Sequence, residues 1–139
     1  MIFTLNEEIH LPSCLDALDW CDDVIVVDSF SMDRTEFICR GRGVRFFQNR
    51  FEGFGSQRNW ALDNTQPRHP WILILDADER VTPELGQELK AIAEANPAGV
   101  EVIAVGVCFC SSEASDNSFC VCSFIVVCAN CAFSSSRLI

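Results

Sequence analysis

Positively charged side chains are scarce in this chain. Its 139 residues include 10 lysines and arginines against 20 aspartates and glutamates, which gives a formal net charge of −10 at pH 7. This acidic balance argues against nucleic-acid binding, because phosphate backbones are bound by basic surfaces. To bind a smaller anion such as a nucleotide, the protein would need a metal ion or a local group of basic residues.

Long apolar runs are also missing. No segment reaches about 18 uninterrupted apolar residues, the length expected of a membrane-spanning helix. The N-terminus has no basic stretch followed by an apolar one, as a signal peptide would. The sequence therefore predicts a cytoplasmic protein, with peripheral association at the inner face of the plasma membrane as a variant of that prediction. No Gly-x-Gly-x-x-Gly motif follows a strand, which argues against a Rossmann dehydrogenase.

Cysteine is sparse in the first 100 residues, where Cys14, Cys21 and Cys39 resemble the small buried residues of a reduced cytosolic domain. The rest of the chain differs, since it has few charged residues and is rich in Cys, Ser, Val and Phe. The remaining cysteines are Cys108, Cys110, Cys120, Cys122, Cys128 and Cys131.

Up to about residue 97, short apolar segments alternate with helical patterns. The predicted strands are Met1–Thr4, Val24–Val27, Val44–Phe47, Trp71–Leu75 and, further on, Val102–Val107. The predicted helices are Ile9–Leu18, Ser31–Cys39, Ser56–Leu62 and a helix from Pro83, after a cap at Thr82, to about Ala95. This order predicts an α/β fold with a doubly wound, mainly parallel sheet. With 49% hydrophobic residues, the chain can form one domain with a real core.

The segment from Trp71 to Asp78 combines a buried strand with two carboxylates. Its apolar run is typical of a parallel-sheet strand that is buried on both faces, and it ends at Asp76 and Asp78. In an extended chain, side chains two residues apart lie on the same side, with Cα atoms about 6.5–7 Å apart. Two such acids at the carboxyl end of a strand suit Mg²⁺ or Mn²⁺, which could bridge to the phosphates of a nucleotide.

Polar groups follow two other predicted strands. Asn6 and Glu7 come after the first strand, and Asp28 follows the second. Because parallel strands end at one edge of the sheet, these groups are expected to converge with Asp76 and Asp78. The alternative is that each acid only caps the turn or helix that follows it, and for Asp28 the two interpretations are equally supported.

Four segments occur in the order and spacing of family 2 glycosyltransferases, and the chain resembles the bacterial branch that includes lipopolysaccharide-core glucosyltransferases. The resemblance covers residues 1–98. Its segments are Thr4–Glu8, Val26–Thr35, Phe51–Leu62 and Leu75–Arg80.

The resemblance implies a truncated nucleotide-sugar domain of the GT-A type, Rossmann-like, over residues 1–99. Asp76 and Asp78 would form the DxD motif, which helps to hold a divalent metal (Mg²⁺ or Mn²⁺) and contacts the ribose and diphosphate of the donor. The other implied nucleotide contacts are Asp28 with the base, Asn6 and Glu7 along the pocket, and the segment of Gln57, Arg58 and Asn59, where Arg58 would supply positive charge.

The implied activity is metal-assisted, inverting transfer of a sugar from a nucleotide-sugar donor, with UDP as the expected nucleotide. The acceptor would be a cell-envelope glycan or a lipid-linked glycan such as the lipopolysaccharide core. Its hydroxyl must lose a proton to a carboxylate. The family has this general base downstream of the DxD motif, and no candidate for it is found. Glu113 and Asp116 are the only acids in the middle of the tail.

The chain departs from the family pattern at several places. Phe30, Met32 and Arg34 stand where the family commonly has Gly, Thr and Gly. The first strand also lacks its first few residues. Phe30 in a loop that often uses glycine is expected to distort the base pocket.

Residues 100–139 match nothing in the family pattern and leave several interpretations open. They could result from an altered reading frame or a truncated gene product. They could form a Cys-rich metal-binding or interaction segment, or a membrane-associating tail over Phe119–Phe133. Two alternatives to a working glycosyltransferase follow: a catalytically inactive nucleotide-binding remnant, and a protein that acts through its cysteine tail.

Overall fold

The computed structural model describes residues 1–95 and the backbone of two further strands, residues 102–109 and 120–128. Strands and helices alternate as the sequence predicts. The elements are β1 (Ile2–Thr4), α1 (Leu11–Asp16), β2 (Ile25–Asp28), α2 (Thr35–Arg42), β3 (Arg45–Gln48), α3 (Phe54–Thr65), β4 (Trp71–Asp76), α4 (Pro83–Ala95), β5 (Val102–Phe109) and β6 (Cys120–Cys128).

These elements build one six-stranded sheet with the strand order β3-β2-β1-β4-β6-β5. The first four strands in that order are parallel, whereas β6 is antiparallel to both β4 and β5. The register places Thr4 beside Asp28 and Phe3 beside Asp76, so the carboxyl ends of three strands lie at one edge. The predicted α/β fold with a mainly parallel sheet is therefore confirmed.

Apolar side chains cover both faces of the parallel part of the sheet. On β2, Val26 belongs to one buried cluster, while Ile25 and Val27 belong to the other. On β4, Leu75 and Ile74 divide in the same way. Burying each such side chain contributes about 1.5–3 kcal/mol. This explains why these short strands read as continuous apolar runs rather than as alternating patterns.

Helix α4 begins where the sequence predicts. Thr82 Oγ1 accepts a hydrogen bond of 3.3 Å from the backbone N–H of Leu85, and Pro83 is the first helical residue. Gly86 lies on this helix against the indole of Trp20, where a Cβ atom would come within 3.1 Å of Nε1. The glycine thus permits the close approach of α4 to the side chain of Trp20.

The three other helices differ from their predicted bounds. Helix α1 is shorter than the predicted Ile9–Leu18, α2 begins at Thr35 rather than at Ser31, and α3 is longer than the predicted Ser56–Leu62. The residues just before Thr35 do not continue a helix, because their polar groups bond to the loop that follows β1. The capping-type residues from Ser31 predicted an earlier start of α2. The long-range hydrogen bonds hold the residues before Thr35 in a non-helical conformation instead.

The amino edge of the sheet carries a cavity. The N-terminal amine of Met1 is buried and donates a hydrogen bond of 2.8 Å to the carbonyl oxygen of Leu73. Burial lowers the pKa of this amine to about 6, since it disfavours the charged form. A cavity of about 500 Å³ lies beside it, with Trp20, Ile25 and Trp71 among its lining residues. It is at the edge opposite to the predicted site.

Beyond residue 100, the predicted strand Val102–Val107 is confirmed as β5, whereas β6 was not predicted. Residues 120–128 of the suggested membrane-associating tail form β6, paired with β4 and β5. Glu113, Asp116 and two of the tail cysteines lie outside the described residues. The domain boundary at residue 99 stays a prediction. Within the described part of the chain, no helix is both long and apolar enough to cross a membrane.

Candidate functional site

The loops at the carboxyl ends of β1, β2 and β4 carry most of the polar residues that the sequence singles out. Asn6 and Glu7 follow β1, Asp28 ends β2, and Asp76 ends β4 with Asp78 just beyond it. Helix α3 contributes Gln57 and Arg58. The geometry of these side chains decides which of them can face a ligand.

Asp28 is fully buried beneath this edge and is saturated with hydrogen bonds. Its carboxylate accepts from Thr4 Oγ1 at 2.9 Å, from Ser31 N–H at 2.8 Å and from Gln48 Nε2 at 3.3 Å. The hydroxyl of Ser31 donates to it as well. Asp28 therefore holds the loop after β2 in place, as the capping alternative predicts. Contact with a nucleobase stays a prediction, and it would require these bonds to rearrange.

The loop after β1 and the loop after β2 are joined by reciprocal hydrogen bonds. The N–H of Asn6 donates to Ser31 Oγ at 2.7 Å, while Asn6 Oδ1 accepts from the N–H of Met32 at 2.8 Å. The N–H of Glu7 donates to Thr35 Oγ1 at 2.9 Å. The short side chains thereby satisfy backbone groups that have no partner within a strand or helix.

Both loops contain a residue in the left-handed region. Asn6 has a φ of 57° and Phe30 a φ of 63°. Asparagine adopts this conformation readily, but for phenylalanine it is unfavourable. The position where the family commonly has glycine is therefore one that requires glycine-like backbone geometry, and Phe30 occupies it with 55% of its surface exposed.

Asp76 and Asp78 both face solvent, whereas Ala77 between them is buried. The predicted common orientation of the two acids agrees with this exposure pattern. The reason differs from the predicted one, because the extended strand ends at Asp76 and a turn follows. This turn is closed by Glu79, whose N–H donates to the Asp76 carbonyl at 3.0 Å and whose carboxylate accepts from the Asp76 N–H at 2.7 Å.

The acids at this edge influence one another electrostatically. Partial burial raises the pKa of Asp76 above its usual value, and the negative charges of Asp78 and Glu7 raise it further. Arg58 acts in the opposite direction, with its Nη2 atom 4.0 Å from Asp76 Oδ1. The negative charges of Glu7 and Asp78 thus disfavour the charged form of Asp76, and a bound cation would relieve this effect.

The guanidinium of Arg58 is framed by aromatic rings. It lies 5.8 Å from the ring centroid of Phe3 and 5.7 Å from that of Phe54. Phe54 in turn packs edge-to-face against Phe51, with ring centroids 5.2 Å apart. Stacking of this kind limits the freedom of the Arg58 side chain, so its charge is held next to Asp76.

Gln57, by contrast, is buried and serves the neighbouring loops. Its Nε2 donates to Ser29 Oγ at 3.2 Å, and its Oε1 accepts from Asn49 Nδ2 at 2.7 Å. Gln57 therefore supports the loop after β2, and a direct nucleotide contact by it stays a prediction. Asn59 lies on the same helix.

The carboxylates at this edge suit a hard divalent cation that takes its remaining ligands from water and substrate. No group of three or more His, Cys, Asp or Glu side chains with metal-binding geometry occurs among the described residues. Mg²⁺ is usually bound through one or two carboxylates, with waters and substrate phosphates completing its shell. Asp76 and Asp78 can supply that protein share.

Sequence reasoning missed two residues of the Asp76–Asp78 loop. Glu79, which is 7% exposed, fixes the turn through the bonds described above. Arg80 donates to the backbone carbonyls of Ala77, Glu79 and His10. The only signal in the sequence was that Glu79 and Arg80 stand between the two aspartates and the helix cap at Thr82. Capping of the helix does not explain this charged pair.

Comparison with known proteins decides the family. The family model described as glycosyl transferase family 2 matches residues 1–118. The chain belongs to glycosyltransferase family 2. The match extends past residue 99, where the predicted domain ends, and into the segment that contains β5.

Two curated glycosyltransferases are clear relatives of the chain. The lipopolysaccharide core biosynthesis glycosyltransferase LpsC of Rhizobium meliloti is 34% identical over 100 residues, which cover 68% of this chain and 36% of LpsC. An uncharacterized glycosyltransferase of Rickettsia bellii is 34% identical over 92 residues, 66% of this chain and 31% of that protein. The chain thus spans about a third of the length of the curated relatives it matches.

Solved structures agree on the fold. Staphylococcus aureus TarS 1–349 in complex with UDP-GlcNAc is 25% identical with a TM-score of 0.54, over 68% of this chain and 30% of TarS. Glucosyl-3-phosphoglycerate synthase of Mycobacterium tuberculosis with Mn²⁺, UDP and glucosyl-3-phosphoglycerate is 23% identical, with a TM-score of 0.56, over 73% of this chain and 40% of that one. These neighbours have the GT-A fold that the sequence predicts.

Proposed function

We propose that this chain is the nucleotide-sugar-binding part of a glycosyltransferase that transfers a sugar from a UDP-sugar to a cell-envelope glycan. The observation that carries the proposal is the 4.0 Å approach of Arg58 to Asp76, at the strand edge where Glu7 and Asp78 also lie. TarS and the mycobacterial synthase support the choice of UDP, because they are solved with UDP-GlcNAc and with UDP. LpsC supports the lipopolysaccharide core as the acceptor class. The transfer would take place at the inner face of the membrane.

The divalent metal fits the donor set of Asp76 and Asp78, and it would neutralise charge on the diphosphate as that group leaves. The mycobacterial synthase is solved with Mn²⁺ and with Mg²⁺, which supports either ion. Arg58 would add a fixed positive charge on the same side. Glu7 would line the nucleotide pocket next to Asp76, and Asn6 would hold the neighbouring loop in register through Ser31 and Met32.

Transfer with inversion also requires a carboxylate that takes the proton of the acceptor hydroxyl. We assign that role to no residue of the described part of the chain. Because no described residue is assigned that role, a nucleotide-binding module without turnover is the second candidate. An assay of sugar release or transfer separates the two candidates. If a chain that binds the nucleotide also releases or transfers the sugar, it is a glycosyltransferase and not a binding module alone.

The substitution Asp78→Asn tests the metal assignment. It removes one negative charge and keeps the side-chain volume, so we expect the Mg²⁺-dependent affinity for UDP to fall at least about tenfold, or about 1.4 kcal/mol. Isothermal titration calorimetry with and without Mg²⁺ measures this. Asp63→Asn makes the same charge change at an exposed position of α3 and serves as the control. Equal affinities for the two variants would contradict the assignment.

A further inference from the structure

Arg80 has a bonding pattern that is unusual for a charged side chain next to a cluster of acids. Its Nη1 donates to the carbonyl oxygens of Ala77 at 3.0 Å and of Glu79 at 2.7 Å. Its Nη2 donates to the carbonyl oxygen of His10 at 2.9 Å. The guanidinium is therefore bound to backbone carbonyls of two different loops, and no ion pair of Arg80 occurs within the described residues.

The two loops are the ones that carry the acids of the candidate site. His10 belongs to the turn that starts at Glu7, since its Nδ1 lies 2.9 Å from Glu7 Oε2 and the N–H of Leu11 donates to the Glu7 carbonyl at 2.9 Å. Ala77 lies between Asp76 and Asp78. The bonds of Arg80 thus connect the Glu7–His10 turn with the turn that presents both aspartates.

The backbone on either side of Arg80 is anchored. Val81 is 4% exposed and belongs to the core cluster on one face of the sheet. Glu79 is 7% exposed and bonds to the backbone of Asp76 on the other side. The backbone of Arg80 is thus fixed, and its guanidinium donates hydrogen bonds to carbonyl oxygens of both loops. A change in the position of one loop is therefore transmitted to the other.

We infer that Arg80 is a positioning residue that couples the Asp76–Asp78 turn to the Glu7–His10 turn, so that metal binding and nucleotide binding reinforce each other. The inference rests on the proposed function of the site. Coupling of this kind is reciprocal, since metal must raise the affinity for nucleotide by the same factor as nucleotide raises the affinity for metal. Groups that orient metal ligands typically change metal affinity by about 10-fold to 100-fold when they are removed.

The substitution Arg80→Lys separates geometry from charge. Lysine retains the positive charge, but its single ammonium cannot replace a planar fork that reaches three carbonyls at once. Arg40→Lys is the matched control, because within the described residues the side chain of Arg40 bonds only to Glu36, on the exposed surface of α2. Circular dichroism and thermal unfolding would show that both variants fold.

Binding is measured with UDP alone and with UDP plus Mn²⁺ for the parent and both variants of the full chain. We expect Arg80→Lys to reduce the gain in UDP affinity that Mn²⁺ brings by about tenfold or more, while binding of UDP alone stays close to the parent value. If Mn²⁺ increased the UDP affinity of Arg80→Lys as much as that of Arg40→Lys, the inference would be overturned. A parent chain that does not bind UDP with Mn²⁺ would instead contradict the proposed function.

Amide hydrogen exchange of the ligand-free protein tests the coupling without any ligand. The N–H groups of Glu7, Glu8 and Leu11 are all hydrogen-bonded in the turn that Arg80 holds. We expect their exchange to become faster in Arg80→Lys and to be unchanged in Arg40→Lys. Unchanged exchange at these three positions in Arg80→Lys would show that Arg80 does not hold the turn, whatever the result with UDP.

Discussion

The guanidinium of Arg58 lies 4.0 Å from the carboxylate of Asp76, between the rings of Phe3 and Phe54. Its Nε atom is buried and has no hydrogen-bond partner among the described residues. A buried, unpaired donor of a charged group is unfavourable unless a ligand or water satisfies it. An anion bound at the proposed site would satisfy this donor.

We expect Arg58→Met to weaken UDP binding in the presence of Mg²⁺ by about tenfold to hundredfold, the range of a hydrogen bond to a charged group. Methionine retains the apolar contacts with the two phenylalanine rings, so the loss reports the charge. Calorimetric titration measures the affinity, and Arg40→Met on the outer surface of α2 is the control. An unchanged affinity in Arg58→Met would exclude a contact between Arg58 and the diphosphate.

Phe30 supplies a prediction about backbone strain. Its φ of 63° suits glycine, whereas a residue with a Cβ atom loses about 1–2 kcal/mol there. Phe30→Gly and Phe30→Ala both remove the ring, and only the glycine relieves the strain. We therefore expect the free energy of unfolding in urea to be about 1 kcal/mol higher for the glycine variant than for the alanine variant. Equal stabilities would contradict the left-handed conformation.

Two kinds of buried group make the stability depend on pH: the amine of Met1 and the thiols of Cys14 and Cys39. The amine acts between pH 6 and pH 8. Its pKa falls from 8.0 to about 6 on folding, so between these values the unfolded chain binds more protons than the folded one. The free energy of unfolding should therefore rise as the pH increases from 6 to 8. Acetylation of the amine removes this part of the slope.

The thiols of Cys14 and Cys39 act in the opposite direction at higher pH. Burial raises the pKa of Cys14 to about 11 and that of Cys39 to about 12, from 9.0 for an exposed thiol. Their contribution is complete below pH 9, where both states are protonated. It is lost as the pH rises toward the folded values, by up to about 1.4 kcal/mol per thiol and pH unit.

Urea unfolding across pH 6 to 10 tests both effects, and we expect maximal stability between about pH 8 and pH 9. Alkylation by iodoacetamide at pH 8, followed by mass spectrometry, provides an independent check. Cys14 and Cys39 should react only after unfolding, because their buried thiols remain protonated. Rapid labelling of either residue in the native protein, or stability that keeps rising above pH 9, would contradict their burial.

The sequence predicted the strands and the convergence of the acids because both depend on local patterns. Continuous apolar runs such as Trp71–Leu75 indicate buried strands, and parallel strands must end at one edge. The same logic placed Glu7, Asp76 and Asp78 at that edge, and their roles in binding stay predictions. The resemblance to the family marked Phe30 as a departure from glycine, and the structure gives that position a φ of 63°.

What the sequence did not reveal depends on bonds between residues that are distant in the chain. The contacts of Asp28 with Thr4 and Gln48, and of Arg80 with His10, connect separate loops. No periodicity encodes such contacts, so Asp28 could equally have been a ligand contact or a cap. Strand β6 was missed for a different reason, since its apolar run was interpreted as part of a membrane-associating tail.

The most direct test of the account is an amide NMR titration of the whole chain with UDP, with and without Mg²⁺. We predict shifts at Asn6, Glu7, Arg58 and Asp76–Asp78 that are large only when UDP and Mg²⁺ are present together. Signals of α4 beyond its first turn should remain unchanged. A well-dispersed spectrum in which UDP and Mg²⁺ cause no shifts at this edge would contradict the central claim that it is a nucleotide-sugar site.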